Sequence, residues 1–387
     1  MYLFLKTIYK CLFLFLRFIL AIIDVVLFPV FYIFRIGKKR IRYFSVIGFN
    51  YLYARPQAFC KYLSKNGYNI TYSFVKDKNI TNYNDNSNNE TGKIIVKDFI
   101  YNDNNKIFNR ILLLFKSLFI NYDIVIITHP TQTIYLDLLL IKLKGTKIIY
   151  DCMDYYEYWI NKKDIKYFHI FERKLLRYAS KITTSSNHLK EYLKNYYGLS
   201  KEIKVVKNGY EEFNDIRKEV ELKHPNIMYI GSVDDYFDFS TIKNYFTHHK
   251  NYYFYVIGPI TKNAQKNIKN LPKNILLLNA IEHSDIPIYA NSADILVMPR
   301  IINNVTKCIN PIKLYEYLSF GKPVISSYWD ELNEFKDFVN FYHDDKSFDQ
   351  ALRKSINEHK IDENKLKQFL KKALWKNRVK EFIQYIQ

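Results

Sequence analysis

Short, continuous apolar runs alternate with longer amphipathic stretches along most of this chain. That is the rhythm of parallel strands buried on both faces and joined by crossover helices. The pattern predicts strands over residues 43–49, 67–73, 123–128, 146–150 and 181–186, with helices near 56–66, 132–143 and 171–178 between them, and 205–209 closing the series. A possible further strand, 94–96, lies in an Asn- and Asp-rich stretch, 77–106, that reads as exposed surface. After a charged connector over 215–223 the rhythm restarts, with strands predicted at 226–232, 252–257, 275–278, 295–298 and 324–326. The expected fold class is therefore α/β, two doubly wound parallel-sheet domains in tandem. Their expected bounds are 43–214 and 223–364, followed by a helical segment, 365–387, that carries Trp375 and is long enough to pack back across both.

Residues 1–36 break the rhythm. They are almost wholly apolar, and on a helix Lys6, Lys10, Arg17, Asp24 and Arg35 fall within a band of roughly 40°. A helix apolar around nearly its whole circumference suits a lipid environment, and the segment is too long for a signal peptide. The basic cluster Gly37-Lys38-Lys39-Arg40-Ile41-Arg42 then marks the cytoplasmic side, which places the folded body against the cytoplasmic face of a membrane. Pro29 and Asp24 leave open whether the segment spans the bilayer or lies in its surface.

Length and charge refine this only slightly. With 387 residues, two ordinary cores are expected. The formal charge of +20 invites a nucleic-acid reading, but Lys, Asn, Ile and Tyr are abundant everywhere and no Arg-rich stripe or binding signature accompanies them, so no nucleic-acid partner is expected. Cys11, Cys60, Cys152 and Cys308 are scattered without a C-x-x-C pair, which fits a reduced setting and neither a disulfide frame nor a zinc site.

The densest chemistry lies in Asn310 to Ser327. Pro311 suits a first helical position, Leu314, Tyr317 and Leu318 form an apolar stripe, and Gly321 suits the helix end with Pro323 beyond it. Glu316, between two tyrosines, is either a solvated helix acid or an acceptor for ligand hydroxyls, with Lys313 near a phosphate at the same helix end. In the first half, Asp151 and Asp154 follow a strand and share the crevice side with the Gly48-Phe49-Asn50 turn. No neighbouring His or third acid suggests a metal, so hydrogen bonding to a hydroxylated ligand is preferred. Asn208-Gly209 reads as a tight turn.

In order along the chain, Gly231-Ser232, Gly258-Pro259, Ala293-Asp294-Ile295 and Pro311-x-Lys313-x-x-Glu316-Tyr317-x-x-x-Gly321-Lys322-Pro323-Val324 resemble a GT-B glycosyltransferase of the retaining family 4 type. Tyr150-Asp151-x-x-Asp154 and the Trp375 tail are similar to teichuronic-acid and capsule glycosyltransferases. The resemblance, over about residues 43–387, implies two Rossmann-like domains facing a cleft. It implies a nucleotide-sugar donor on the C-terminal domain, with Gly231, Ser232, Pro259, Arg300, Pro311, Ile312, Lys313 and Glu316 around it, and Glu316 on the ribose. Three positions depart from the pattern: Cys308 stands at the family's first Glu, Val233-Asp234-Asp235 replace the usual Arg and Lys, and Met153 replaces a frequent His. The diphosphate charge then falls to Lys313, Arg300 or Lys307, with the helix head.

The expected reaction is transfer of the sugar, without metal or other cofactor and with retention, to a hydroxyl of a membrane-associated glycan or lipid-linked acceptor. Asp154 is expected to orient that hydroxyl, with Asn50, Arg55, His129 and Asp151 as further acceptor-side candidates; for His129 a strand-end role satisfied by backbone competes. The alternatives are a GT-B-shaped sugar-nucleotide epimerase and a non-catalytic membrane scaffold.

Overall fold

The computed structural model describes residues 39–49, 53–75, 94–99, 122–214, 218–357 and 361–387. The expected apolar helix over 1–36 lies outside them. Among the described residues no helix is long and apolar enough to cross a membrane. The chain divides into two compact units, one of Met1–Ser185, Leu189–Val206 and Val379–Gln387, the other of Ser186–His188 and Lys207–Arg378.

The first unit is built on a seven-stranded sheet in the order β3-β2-β1-β4-β5-β6-β7. Its strands are β1 (Arg40–Ser45), β2 (Asn69–Val75), β3 (Ile94–Phe99), β4 (Ile124–Ile127), β5 (Lys147–Cys152), β6 (Lys181–Thr184) and β7 (Ile203–Val205). Every pairing is parallel. The central strand β4 is buried along its whole length, as its unbroken β-branched run requires. Helix α1 (Arg55–Lys65) follows β1, opens with Pro56 in its first turn, and turns Ala58, Phe59, Cys60 and Leu63 inward. The helix expected over 132–143 is instead a 3-10 turn, Pro130–Tyr135, and a separate α2 (Leu138–Leu143). The Asp137 carboxylate accepts from the Leu140 amide at 3.1 Å, and that cap starts a new helix where a continuous one was expected. Helix α3 (Ile165–Tyr178) begins earlier than its apolar spacing suggests, and α4 (Asn187–Tyr197) was not foreseen.

The second unit carries a six-stranded parallel sheet in the order β10-β9-β8-β11-β12-β13. The strands are β8 (Asn226–Ile230), β9 (Tyr253–Ile257), β10 (Ile275–Leu278), β11 (Ile295–Met298), β12 (Val324–Ser327) and β13 (Asn340–Tyr342). Helices α5 (Phe239–His248), α6 (Ile286–Asn291), α7 (Asn304–Lys307) and α8 (Ile312–Ser319) lie between them, and α9 (Asp345–Asn357) follows β13. Two apolar clusters form, one around Leu296, Leu314 and Phe335, the other around Phe246, Phe254 and Phe348. Each such side chain fully buried contributes about 1.5–3 kcal/mol before the entropy it loses.

The C-terminal segment is two helices, α10 (Glu363–Ala373) and α11 (Trp375–Ile386), separated at the extended Leu374. Residues 379–387 group with the first unit. Asn208-Gly209 is not the expected tight turn. The Tyr210 amide donates to the Ala373 carbonyl, and the Trp375 amide to the Tyr210 carbonyl, each at 3.1 Å. A Cβ on Gly209 would meet the Ala373 oxygen at 2.6 Å, so the glycine is required by close backbone approach.

Candidate functional site

Strands β8 and β11 are neighbours in the second sheet, and the connections from them leave in opposite directions along it. Ligands of open parallel sheets bind at such a switch point, beyond the carboxyl ends of the strands. Gly231 ends β8 and Gly258 ends β9, with φ of 155° and 142°. A Cβ on Gly258 would overlap the Gly231 carbonyl, so the two strand ends pack backbone to backbone. Tyr317, from α8, locks the β8 end from the other side: its hydroxyl accepts from the Ile230 amide at 2.8 Å and donates to the Ile230 carbonyl at 2.9 Å. The Tyr229 hydroxyl donates to the Ser232 carbonyl at 2.8 Å. Ser232 and Pro259 themselves are exposed.

Helix α8 aims its head at this corner. A buried Pro311 precedes it as N-cap, one position before the first helical place expected of it, and supplies no side-chain cap. The opening amides of the helix are thus left for a ligand or water. The loop before the helix is fixed by Asn310, 1 % exposed, whose side-chain oxygen accepts from the Asn208 amide at 2.9 Å. The Asn208 side chain returns a bond to the Asn310 carbonyl at 2.8 Å. One residue into the helix, Lys313 lies directly against Gly231: a Cβ on that glycine would overlap its Cε and Nζ. Lys313 makes no hydrogen bond or ion pair with the described residues, and it is half-buried.

Arg300, after β11, differs. Its guanidinium is bound to the Asp234 carboxylate, and its amide donates to Ser327 Oγ at 2.9 Å. Burial pulls its pKa down, but Tyr229, Asp234 and Tyr317 more than offset that and hold it charged. Lys307, the other cation considered for the same task, is exposed. Cys308, at the position of the resemblance's first acid, is buried and points its Sγ at the Asn304 carbonyl, 3.2 Å away.

Glu316 lies one turn further along α8, its side chain 16 % exposed, with His283 Nε2 3.7 Å from Oε1. His283 in turn stacks on Phe213 at 5.2 Å. No feature of the sequence pointed to His283, which comes from a short 3-10 turn after a polar loop. Asp234 was visible only as a departure from the family pattern.

In the first unit the candidate residues separate. Asp151 is fully buried and saturated: Arg55 donates to it through Nε at 3.0 Å and Nη2 at 2.8 Å, and Thr183 Oγ1 at 2.7 Å. Arg55 Nη1 also reaches the Val206 carbonyl at 2.7 Å. These two residues are spent on each other and join strand ends; neither presents a group to solvent. His129 is buried and caps the 3-10 turn, with Nδ1 accepting from the Thr131 amide at 3.2 Å. Its ring packs edge-on to Tyr156 at 4.4 Å, and burial lowers its pKa to about 4, so it is neutral. Asn50 lies outside the described residues. Asp154 alone of the group is exposed. Desolvation among crowded neighbours pushes its carboxyl up to about 7, with Arg55 pulling the other way.

A second carboxylate in this unit, Glu172, is 1 % exposed and accepts from the hydroxyls of Tyr150 and Tyr197. Desolvation raises it to about 7 against the pull of those two bonds. Among the described residues no group of three or more His, Cys, Asp or Glu side chains could hold a metal ion.

With this geometry in place, comparison with known proteins gives a consistent result. Residues 57–212 match the family model described as Glycosyltransferase Family 4, and residues 208–357 the one described as Glycosyl transferases group 1. TuaH of Bacillus subtilis (strain 168), named for teichuronic acid biosynthesis as a glycosyltransferase, is 26 % identical over 199 residues, 47 % of this chain and 50 % of that protein. The match thus spans about half the length of that relative. Among solved structures, sucrose-phosphate synthase from Thermosynechococcus elongatus superposes with a TM-score of 0.65 at 12 % identity, over 90 % of this chain and 98 % of that one. Anabaena HepE, solved with UDP and glucose, gives 0.61 at 12 %, over 90 % and 98 %. The galactosyltransferase WaaB of the lipopolysaccharide outer core gives 0.61 at 15 %, over 90 % and 99 %. At these identities the likeness is one of fold, and it bears out two parallel-sheet domains of the GT-B kind.

Proposed function

We propose, from the match of residues 57–212 and 208–357 to two glycosyltransferase family models, that this chain moves a sugar from a nucleotide-sugar donor to a hydroxyl of a lipid-linked or cell-surface glycan. The observation that carries the reading is the corner of the second unit where Lys313, unpaired among the described residues, lies against Gly231 at the head of a helix with no side-chain cap. A half-buried cation beside open amides suits the diphosphate of such a donor. Glu316, one turn on, can accept from two vicinal ribose hydroxyls, with His283 Nε2 3.7 Å from one of its oxygens.

The chemistry then asks little of side chains. Lys313 and the α8 amides neutralise the departing nucleoside diphosphate, and Asp154 accepts from the attacking hydroxyl and orients it. Transfer proceeds with retention and needs no metal ion, and the acceptor is held at the cytoplasmic face of a membrane. The match to TuaH supports a cell-surface glycan as the acceptor class.

The test is a panel of UDP-, GDP- and CMP-sugars scored by thermal shift, followed by product analysis with and without a glycan acceptor. One nucleotide class is expected to raise the midpoint in wild type and much less in Lys313→Ala. No response to any of them overturns the reading. Free sugar or an isomerised donor as the only product, whatever the acceptor, points to hydrolysis or epimerisation.

A further inference from the structure

The first unit carries a surface that none of the proposed chemistry uses. Helix α3 turns Phe168, Glu172, Leu175 and Leu176 inward. On its outer side Lys166, Tyr167, Ile170, Arg173, Lys174 and Arg177 are all exposed, and at helical spacing they share one stripe about 120° wide. The 3-10 turn just before it (Tyr156–Trp159) adds Tyr158 and Trp159, 52 % and 63 % exposed, with ring centroids 5.3 Å apart. Lys162 and Lys163 bridge the two, and both are exposed. Between 158 and 178 the exposed charges are thus six cations against one acid, Asp164.

Large apolar side chains this exposed are costly to leave in water, and here they are interleaved with cations along one helix face. Lys and Arg can reach headgroup phosphates while their stems lie along apolar surface, and Trp and Tyr favour the depth of the headgroups. We infer that this face, the turn bearing Trp159 together with the outer stripe of α3, docks on an anionic lipid bilayer. The contact is made by residues 158–177 and not by the apolar segment 1–36, and it is driven by charge as well as burial. Trp159 is five positions after Asp154, so docking would bring the acceptor-side strand end to the lipid surface. The inference stands on this surface alone and not on the identity of donor or acceptor.

The chain contains its own probe. Of its three tryptophans, Trp329 and Trp375 are 3 % and 2 % exposed, and only Trp159 faces solvent. The full chain is mixed with vesicles of phosphatidylcholine alone or with added phosphatidylglycerol. With the anionic vesicles, Trp159 emission is expected to move to the blue and its acrylamide quenching to fall severalfold; the change is lost in Trp159→Phe and reversed by salt. A variant carrying Lys162→Glu, Lys163→Glu and Lys166→Glu is expected to need at least about fivefold more anionic lipid per lysine reversed, while its thermal shift with the donor nucleotide is kept. Unchanged wild-type Trp159 emission and quenching on anionic vesicles that sediment with the protein overturns the proposal, as does an equal response on phosphatidylcholine alone. Failure of the donor panel leaves this result untouched, so the two readings fail separately.

Discussion

The ammonium end of Lys313 occupies the space that a side chain on Gly231 would need. A side chain at Gly231 would therefore push the Lys313 ammonium out of its place at the strand end.

Lys313→Ala is expected to weaken donor binding by about 10- to 100-fold, the worth of one charged hydrogen bond in a half-buried site. Calorimetry against the nucleoside diphosphate measures it. Gly231→Ala should lose at least as much, because it displaces Lys313 and places a side chain at φ 155°. An unchanged affinity in both variants removes the diphosphate from this corner.

Asp154→Asn is expected to lower kcat by about 10²- to 10⁴-fold with donor affinity intact. Because its carboxyl is raised, the ionised form gains ground only as pH climbs toward about 7. Wild-type turnover should therefore rise with pH through the slightly acid range, and this limb should vanish in the variant. A pH profile shared by both would assign the limb to another group.

Arg55→Ala leaves Asp151 fully buried without its partner, and breaking such a pair costs on the order of 3–5 kcal/mol. A drop in Tm of the first unit's transition, with nucleotide binding by the second unit kept, is the expected signature. Near-native stability would mean that the pair matters less to folding than its burial implies.

Burial raises Glu172 to about 7 in the fold, against about 4.5 for an exposed glutamate. Its contribution to stability is present below about 4.5 and is lost as pH rises through about 7, in total on the order of 3 kcal/mol. Glu172→Gln should flatten that decline. Urea unfolding at pH 5 and pH 8 reads it, and equal pH slopes in the two proteins would count against the protonated carboxyl. His129 works in the opposite sense: lowered to about 4, it leaves the unfolded chain binding more protons between about 4 and 6.5, so it costs stability as pH falls through that range.

The two parallel sheets were legible in the sequence because buried strands such as Ile124–Ile127 and Ile295–Met298 must be continuously apolar, and no other element of that length fits. The helix 132–143 was misread because apolar spacing alone cannot see a cap at Asp137. That Lys313 and Glu316 share one helix was readable from local spacing. The pairs that decide charge were not. Arg55 and Asp151 are 96 positions apart, and Arg300 and Asp234 are 66. Side chains of such separation meet only through the order of strands, so Arg55 and Asp151 looked like ligand groups until each was seen holding the other.

The bond between Arg300 and Asp234 has a consequence for selectivity. Asp234 acts as a resident counter-ion, so the guanidinium is already neutralised before any ligand arrives. An incoming phosphate gains from Arg300 only by competing with that carboxylate, which sets a threshold that a single phosphate group meets less readily than a diphosphate, with its larger charge. Free nucleoside monophosphates should accordingly compete poorly with diphosphates at this corner, and Asp234→Asn, which leaves Arg300 unneutralised, should narrow the gap between them.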